Sequence, residues 1–269
     1  MHLNDLKIPT HLLVILPNLR TALGLSKTPR AAFVGAGGKT TALFHLAREY
    51  PPPVIVTATS HLETFQTKQA DHHFYCDDSS SWDGNLPANI SGVTLFSGFK
   101  CKRSVSGLGE ESLREVLSLA DRKSVPLLIE ADGSRRHPIK APAAHEPPIP
   151  NFVDTVIVVA GLSALGKPCT NKWVHRPEIY AELSGIKYGD PISLEAMKNV
   201  LCHPSGGLKN IPLNARKVVL LNQADTPEIY SQAEILAANL LPTYDRVIAA
   251  ALNSKTDAPY ITGIYSHQN

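Results

Sequence analysis

The sequence predicts an α/β protein: a mostly parallel, doubly wound P-loop-type sheet flanked by helices in three layers. Three observations carry this reading. Short apolar runs recur between helix-like stretches. Several of those runs are continuously apolar rather than alternating, as in strands buried on both faces. An early run, Ala31–Val34, leads through a glycine turn and Lys39-Thr40-Thr41 into a helix-like stretch, the layout of a phosphate-binding loop.

Strands are expected at Ala31–Val34, Val54–Thr57, His73–Cys76, Val93–Phe96, Pro126–Ile129, Thr155–Ala160, Lys217–Leu221 and Arg246–Ala251. Helices are expected at Lys39–Glu49, Glu110–Leu119, Pro177–Leu183, Leu194–Leu201 and Pro227–Leu240. The stretch Ser79–Gly92 reads as an exposed loop. Residues 1–28 read as a short helical segment whose apolar run, Leu12 to Leu16, is too short to span a membrane. Residues 133–151 form a Pro-rich inserted loop, and a long structureless loop in a compact domain is uncommon unless it is functional. No repeat or polar linker divides the chain, so residues 1–269 are expected to form a single domain.

Composition narrows the function classes. Hydrophobic residues make up 43% of the 269, enough for a sizeable core. A net charge of +2 gives no global basic field, which argues against nucleic acid as the partner. Cys76, Cys101, Cys169 and Cys202 contain no Cys-x-x-Cys pair, so neither a disulfide framework nor a zinc ribbon is expected. A cytoplasmic protein with no membrane association is the expectation.

The chemistry is concentrated in a few segments. In Gly35-Ala36-Gly37-Gly38-Lys39-Thr40-Thr41, glycines let backbone N–H groups converge on phosphate oxygens, and the helix N-terminus adds positive potential. Lys39 is placed to reach the outer phosphates, and the Thr40 hydroxyl to sit on magnesium. The loop is shorter than the standard pattern, and a glycine turn with a chance Lys-Thr is the competing reading. The run Pro126–Ile129 ends in Glu130-Ala131-Asp132-Gly133. Glu130 or Asp132 would hold magnesium or orient a water, and the Gly133 N–H would meet a terminal phosphate. The alternative is a solvated Asp-Gly turn.

A third run ends in Asn222-Gln223-Ala224-Asp225, close to the Asn-Lys-x-Asp motif of GTPases with Gln in place of Lys. An ionised Asp225 would accept from both guanine donors, a contact adenine cannot offer. Asp225 reads equally as the cap of the helix opening at Thr226-Pro227. At Thr57-Ala58-Thr59-Ser60-His61, the hydroxyls and imidazole either face the phosphate site or cap a helix starting near His61. Arg135 and Arg136, with His137, Lys140, His145 and Glu146, lie in the Pro-rich loop, which would present charge to an anion or stay solvated. The cluster Lys167 and His175-Arg176-Pro177-Glu178 is either pocket lining or plain surface.

Together these segments resemble the selenium-dependent hydroxylase accessory protein family (YqeC-like). The glycine loop, Glu130-Ala131-Asp132-Gly133-Ser134-Arg135, Pro138-Ile139-Lys140-Ala141-Pro142, His145-Glu146-Pro147, Gly161-Leu162 with Gly166-Lys167-Pro168, His175-Arg176-Pro177-Glu178 and Asn222-Gln223-Ala224-Asp225 carry the resemblance, in order. It implies a role in maturing a selenium-dependent molybdenum hydroxylase, with that enzyme or its maturation factors as partners. The layout is also similar to the metallochaperone GTPases that insert nickel. The expected activity is that of a nucleoside triphosphatase using magnesium, with GTP favoured and ATP or CTP as alternatives. Lys39, Glu130, Asp132 and Arg135 are the candidate catalytic residues, and Thr40 and Asp132 the candidate metal ligands. Two other classes stay open: a nucleotide-dependent transferase acting on a small anionic acceptor, and a nucleotide-gated binding module without turnover.

Overall fold

A computed structural model describes residues 18–76, 82, 86–252 and 260–267. Among the described residues the main sheet holds nine strands, in the spatial order His72–Tyr75, Val93–Ser97, Val54–Ala58, Leu127–Glu130, Arg30–Gly35, Thr155–Gly161, Arg216–Asn222, Arg246–Ala251 and Tyr260–Ser266. In chain order the strands are β1 (Arg30–Gly35), β2 (Val54–Ala58), β3 (Leu62–Glu63), β4 (His72–Tyr75), β5 (Val93–Ser97), β6 (Ser104–Val105), β7 (Leu127–Glu130), β8 (Ile139–Lys140), β9 (Thr155–Gly161), β10 (Val174–His175), β11 (Arg216–Asn222), β12 (Arg246–Ala251) and β13 (Tyr260–Ser266). The helices are α1 (Leu19–Leu23), α2 (Lys39–Arg48), α3 (Thr64–Thr67), α4 (Glu110–Lys123), α5 (Pro177–Ser184), α6 (Leu194–Cys202) and α7 (Pro227–Leu240). The sheet is parallel throughout except for β13, which runs antiparallel along β12.

The continuously apolar runs are the central strands. Every residue of β2, β5, β7 and β9 is buried. Alternate residues of each strand enter separate cores on the two faces. Ala31 and Phe33 of β1 meet Leu19, Leu43 and Leu46 of α1 and α2 on one face. Ala32 and Val34 join Val116, Tyr180, Met197 and Leu236, from α4 to α7, on the other. Three layers result, and both faces of the sheet leave water.

Chain direction explains the placement of the helices. From β1 the chain moves through α2 to β2 on one side. From β7 onward it moves the other way, to β9, β11 and β12. Right-handed crossovers then require opposite faces for the two directions. The crossover from β7 to β9 passes over β1 and contains the Pro-rich segment. That segment is anchored at its middle: Ile139 and Ala141 join the core and Lys140 is buried, while Arg135, Arg136, Ala144 and His145 stay exposed. Its strand β8 pairs with β10 in a small parallel sheet, Ile139 opposite Val174 and Lys140 opposite His175.

Several boundaries depart from the sequence expectations. The helix after β2 begins at Thr64 rather than near His61, because Glu63 and Gln66 form a reciprocal cap there. The helix after β11 is capped by Thr226, which accepts from the Ile229 N–H, and not by Asp225. Within the expected exposed loop, Trp82 is buried and packs edge-on against Phe96. Of the expected N-terminal helical segment, residues 1–17 lie outside the described residues, and α1 covers Leu19–Leu23.

α4 ends on Ser124 in the left-handed conformation, φ 53°, with the Val125 N–H returning to Ala120 O at 3.0 Å. That position favours glycine. Ser124→Gly is therefore expected to raise the unfolding free energy by about 0.5–1 kcal/mol. The readout is a higher urea midpoint at unchanged slope; an unchanged or lower midpoint contradicts this account.

Candidate functional site

The site grows from the C-terminal end of β1, where the chain reverses its direction across the sheet. The turn after β1 is held from several sides. The Ala36 N–H donates to Val159 O at 2.9 Å, and the Gly37 N–H to His137 O at 3.0 Å. The Asn222 amide donates to Gly37 O at 2.7 Å, while its oxygen accepts from the Leu252 N–H at 3.1 Å. Only glycine fits at Gly37: φ is 89°, and a Cβ would lie 2.3 Å from Gly161 N. Gly38 caps α2 without a side-chain partner, and Ala42 is the first N–H bonded back into the turn, to Gly38 O. The N–H groups before it therefore have no intrahelical acceptor.

Lys39 is the first residue of α2, and its ammonium is buried. It donates to Gly35 O at 2.8 Å and lies 3.2 Å from Asp132 Oδ1, a charge contact poorly aligned for a hydrogen bond, and 3.7 Å from Glu130 Oε1. Asp132 Oδ2 accepts from the Gly35 N–H at 3.0 Å and from Lys140 Nζ at 2.9 Å. Lys140 also donates to Gly133 O and to Glu146 Oε2, each at 2.6 Å. The Arg176 fork closes on Glu146 at 2.8 and 2.9 Å. Charges thus alternate along one chain: Glu130, Lys39, Asp132, Lys140, Glu146, Arg176.

This arrangement sets the protonation states. Burial alone would lower the Lys39 pKa, but Asp132 and Glu130 outweigh it and hold it above its ordinary value. Burial pushes Glu130 up, against Lys39 and Thr40, which favour its charged form. Burial also works against a charged Glu146, yet Arg176 and Lys140 bring its carboxyl from 4.5 to about 2. His175 is lowered to about 4, by burial first and then by the charges of Arg176 and Lys140, so it is neutral near pH 7.

On the other side of Lys39, the Thr40 hydroxyl donates to Glu130 Oε2 at 2.6 Å and accepts from Gln66 Nε2 at 2.7 Å. Gln66 in turn accepts the Glu63 N–H at 2.8 Å. Arg136 pairs with Glu63 through two nitrogens, and its guanidinium lies 5.0 Å from the centre of the Phe65 ring. These walls enclose a cleft of about 800 Å³.

Gly37, Gly38, Lys39, Thr40, Thr41, Glu130, Asp132, Gly133 and Arg135 all line this cleft. So do Thr59, Ser60, His61, His145, Glu146, His175 and Arg176. Gly35 and Ala36 lie behind the loop, against a smaller apolar cavity. Arg135 is exposed, and among the described residues it has no ion pair. Asn222 is buried as a pin on the loop, its amide bonded to backbone groups of Gly37 and Leu252. Asp225 is exposed and stands apart from the cleft lining. Gln66 and Glu63 were invisible as site residues in the sequence; their one signal is the Glu-x-x-Gln spacing of a helix cap. Among the described residues, no cluster of three or more His, Cys, Asp or Glu groups forms a metal cage. No described helix is long and apolar enough to cross a membrane.

Fold and site define a three-layer α/β protein with a buried ion chain beneath a glycine-rich strand–helix turn. Residues 31–178 match the family model described as YqeC protein. The chain is also 33% identical over 221 residues to the uncharacterized protein YqeC of Escherichia coli (strain K12), covering 80% of this chain and 84% of that one. It belongs to the YqeC family. No solved structure matches it.

The Glu146 shift has a testable consequence. Its folded pKa is depressed, so its contribution to stability is complete above about pH 4.5 and is lost as the pH falls toward about 2. Glu146→Gln is expected to flatten the stability–pH curve across that window. It should also be less stable near neutral pH, where Arg176 loses its carboxylate and Lys140 keeps only the Asp132 carboxylate. Denaturation at a series of pH values reads both effects; a wild-type slope in the variant refutes the assignment.

Proposed function

We propose that this protein binds and hydrolyses a nucleoside triphosphate with magnesium, in the service of maturing a selenium-dependent molybdenum hydroxylase. One observation carries the chemistry. Lys39, Thr40 and Glu130 converge at the N-terminus of α2, where Gly38 offers no capping side chain, beside the C-terminal ends of two adjacent central strands. That convergence supports the reading of the turn as a phosphate-binding loop with Glu130 as its metal-side acid. The maturation role rests on family membership and on the resemblance of the motifs.

In this reading the N–H groups at the start of α2 and that of Gly133 bind phosphate oxygens. Lys39 exchanges carboxylate partners for the outer phosphates. The oxygens offered by Thr40 and Glu130 suit a hard cation. Bound there, magnesium would neutralise charge developing on the phosphates. Glu130, hydrogen-bonded to Thr40, is the metal-side acid. Asp132 is tied to the Gly35 N–H and to Lys140, and it orients the loop and both lysines. Arg135 is the free guanidinium at the cleft. GTP is the favoured nucleotide on the strength of the Asn222–Asp225 motif, although Asp225 stands outside the cleft lining.

The direct test is calorimetric titration with the magnesium complexes of GTP, ATP, CTP and XTP. Lys39→Ala is expected to lose about 2–4 kcal/mol of affinity with the fold intact. Unchanged affinity, or no binding by the wild type, removes the reading. In turnover assays, Glu130→Gln should lower kcat far more than nucleotide affinity. Full turnover in that variant would make the strand-end acid structural.

A further inference from the structure

The Thr40 hydroxyl has one proton and two lone pairs. Its proton goes to Glu130 Oε2 at 2.6 Å, and one lone pair accepts from Gln66 Nε2 at 2.7 Å. One lone pair remains. We propose that Gln66 is a positioning residue that locks the Thr40 hydroxyl with this lone pair open to a divalent cation, and so sets the magnesium dependence of nucleotide capture. The inference rests on the nucleotide-binding reading and goes beyond it, because Gln66 belongs to a separate segment following β2.

The amide has a defined orientation. Its oxygen accepts the Glu63 backbone N–H at 2.8 Å, and that N–H can only donate. The nitrogen must therefore face Thr40; the flipped amide would set donor against donor. Gln66 is also fixed by its backbone, whose N–H is received by the Glu63 carboxylate. The same carboxylate binds Arg136. A hydrogen-bonded path thus runs Glu130, Thr40, Gln66, Glu63, Arg136. It starts and ends on the stretch of chain that leaves β7, and every member lines the cleft. Without Gln66 the threonine rotor keeps one anchor instead of two. Partners that orient a metal ligand in this way commonly govern affinity by 10- to 100-fold.

A competing account gives Gln66 only the cap of α3, a helix of four residues. That account predicts lost stability and an unchanged cation response. The test is calorimetric titration of wild type, Gln66→Met and Gln66→Asn with GTP and ATP, in excess EDTA and across a magnesium series, with circular-dichroism melts alongside. In EDTA the variants should match wild type within about twofold. The magnesium concentration giving half of the affinity gain should rise roughly tenfold in both, since asparagine is a methylene too short to bridge Glu63 and Thr40. If Gln66→Met fails to fold, Gln66→Asn decides. Variants that melt earlier but reproduce the wild-type magnesium curve overturn the proposal and leave the nucleotide reading standing. A wild type that binds neither nucleotide, with or without magnesium, overturns both.

Discussion

The buried alternation of charge from Glu130 to Arg176 constrains the rest of this structure. Lys39, Glu130, Asp132 and Lys140 are all nearly inaccessible to water. An isolated buried ion costs several kcal/mol, and the cost is offset only if every charge has close, hydrogen-bonded partners. Here the partners come from three separated parts of the chain: the turn after β1, the stretch from the end of β7 to Glu146, and the residue following β10. The pairing of Phe33 with Glu130 and of Lys140 with His175 sets their spacing. A shift of one residue in either ladder would send the charged side chain to the opposite face. Strand register and ionic pairing therefore enforce each other.

This accounts for the irregular crossover between β7 and β9. A helix would serve the connection topologically, as it does elsewhere in the sheet. The segment from Gly133 to Glu146 instead has to deliver a lysine ammonium to Asp132, Gly133 O and Glu146 at once. It also has to present His137 O to the Gly37 N–H and Pro138 O to the Gly161 N–H. Prolines stiffen such a path and restrict its unfolded alternatives. Arg135 and Arg136, both at positive φ, turn the chain out of the sheet edge at its start.

The electrostatics bear on how the proposed nucleotide site would work. The charged lining of the cleft is balanced: Lys39, Arg135, Arg136 and Arg176 against Glu63, Glu130, Asp132 and Glu146. Such a site does not draw a polyanion by net charge. An incoming phosphate must compete with carboxylates already on Lys39, and a cation arriving with it compensates those carboxylates. In the proposed site, discrimination would come from the fixed N–H groups of the loop and from the groups around Thr40.

Much of the fold was legible because its signals are local. Runs such as Val54–Thr57 and Thr155–Ala160 are apolar without alternation, and two-sided burial is what that pattern requires. The glycines before Lys39 mark a turn with little room for a Cβ, and the acids that close β7 lie beside it. The three-layer class, most elements and the residues of the glycine turn all follow from local pattern. Tertiary structure decided the rest. Lys140 sits among prolines and charges, and nothing local distinguishes it from a solvated lysine until β8 and β10 pair. Gln66 carries only a capping signal, because its second partner, Thr40, lies on another helix. Asn222 resembles a base-reading residue, and only the folded chain shows its amide bridging Gly37 O and the Leu252 N–H. The physical reason is common to all three. Backbone conformation and burial leave a pattern in neighbouring residues, whereas a hydrogen-bond partner distant in sequence leaves none.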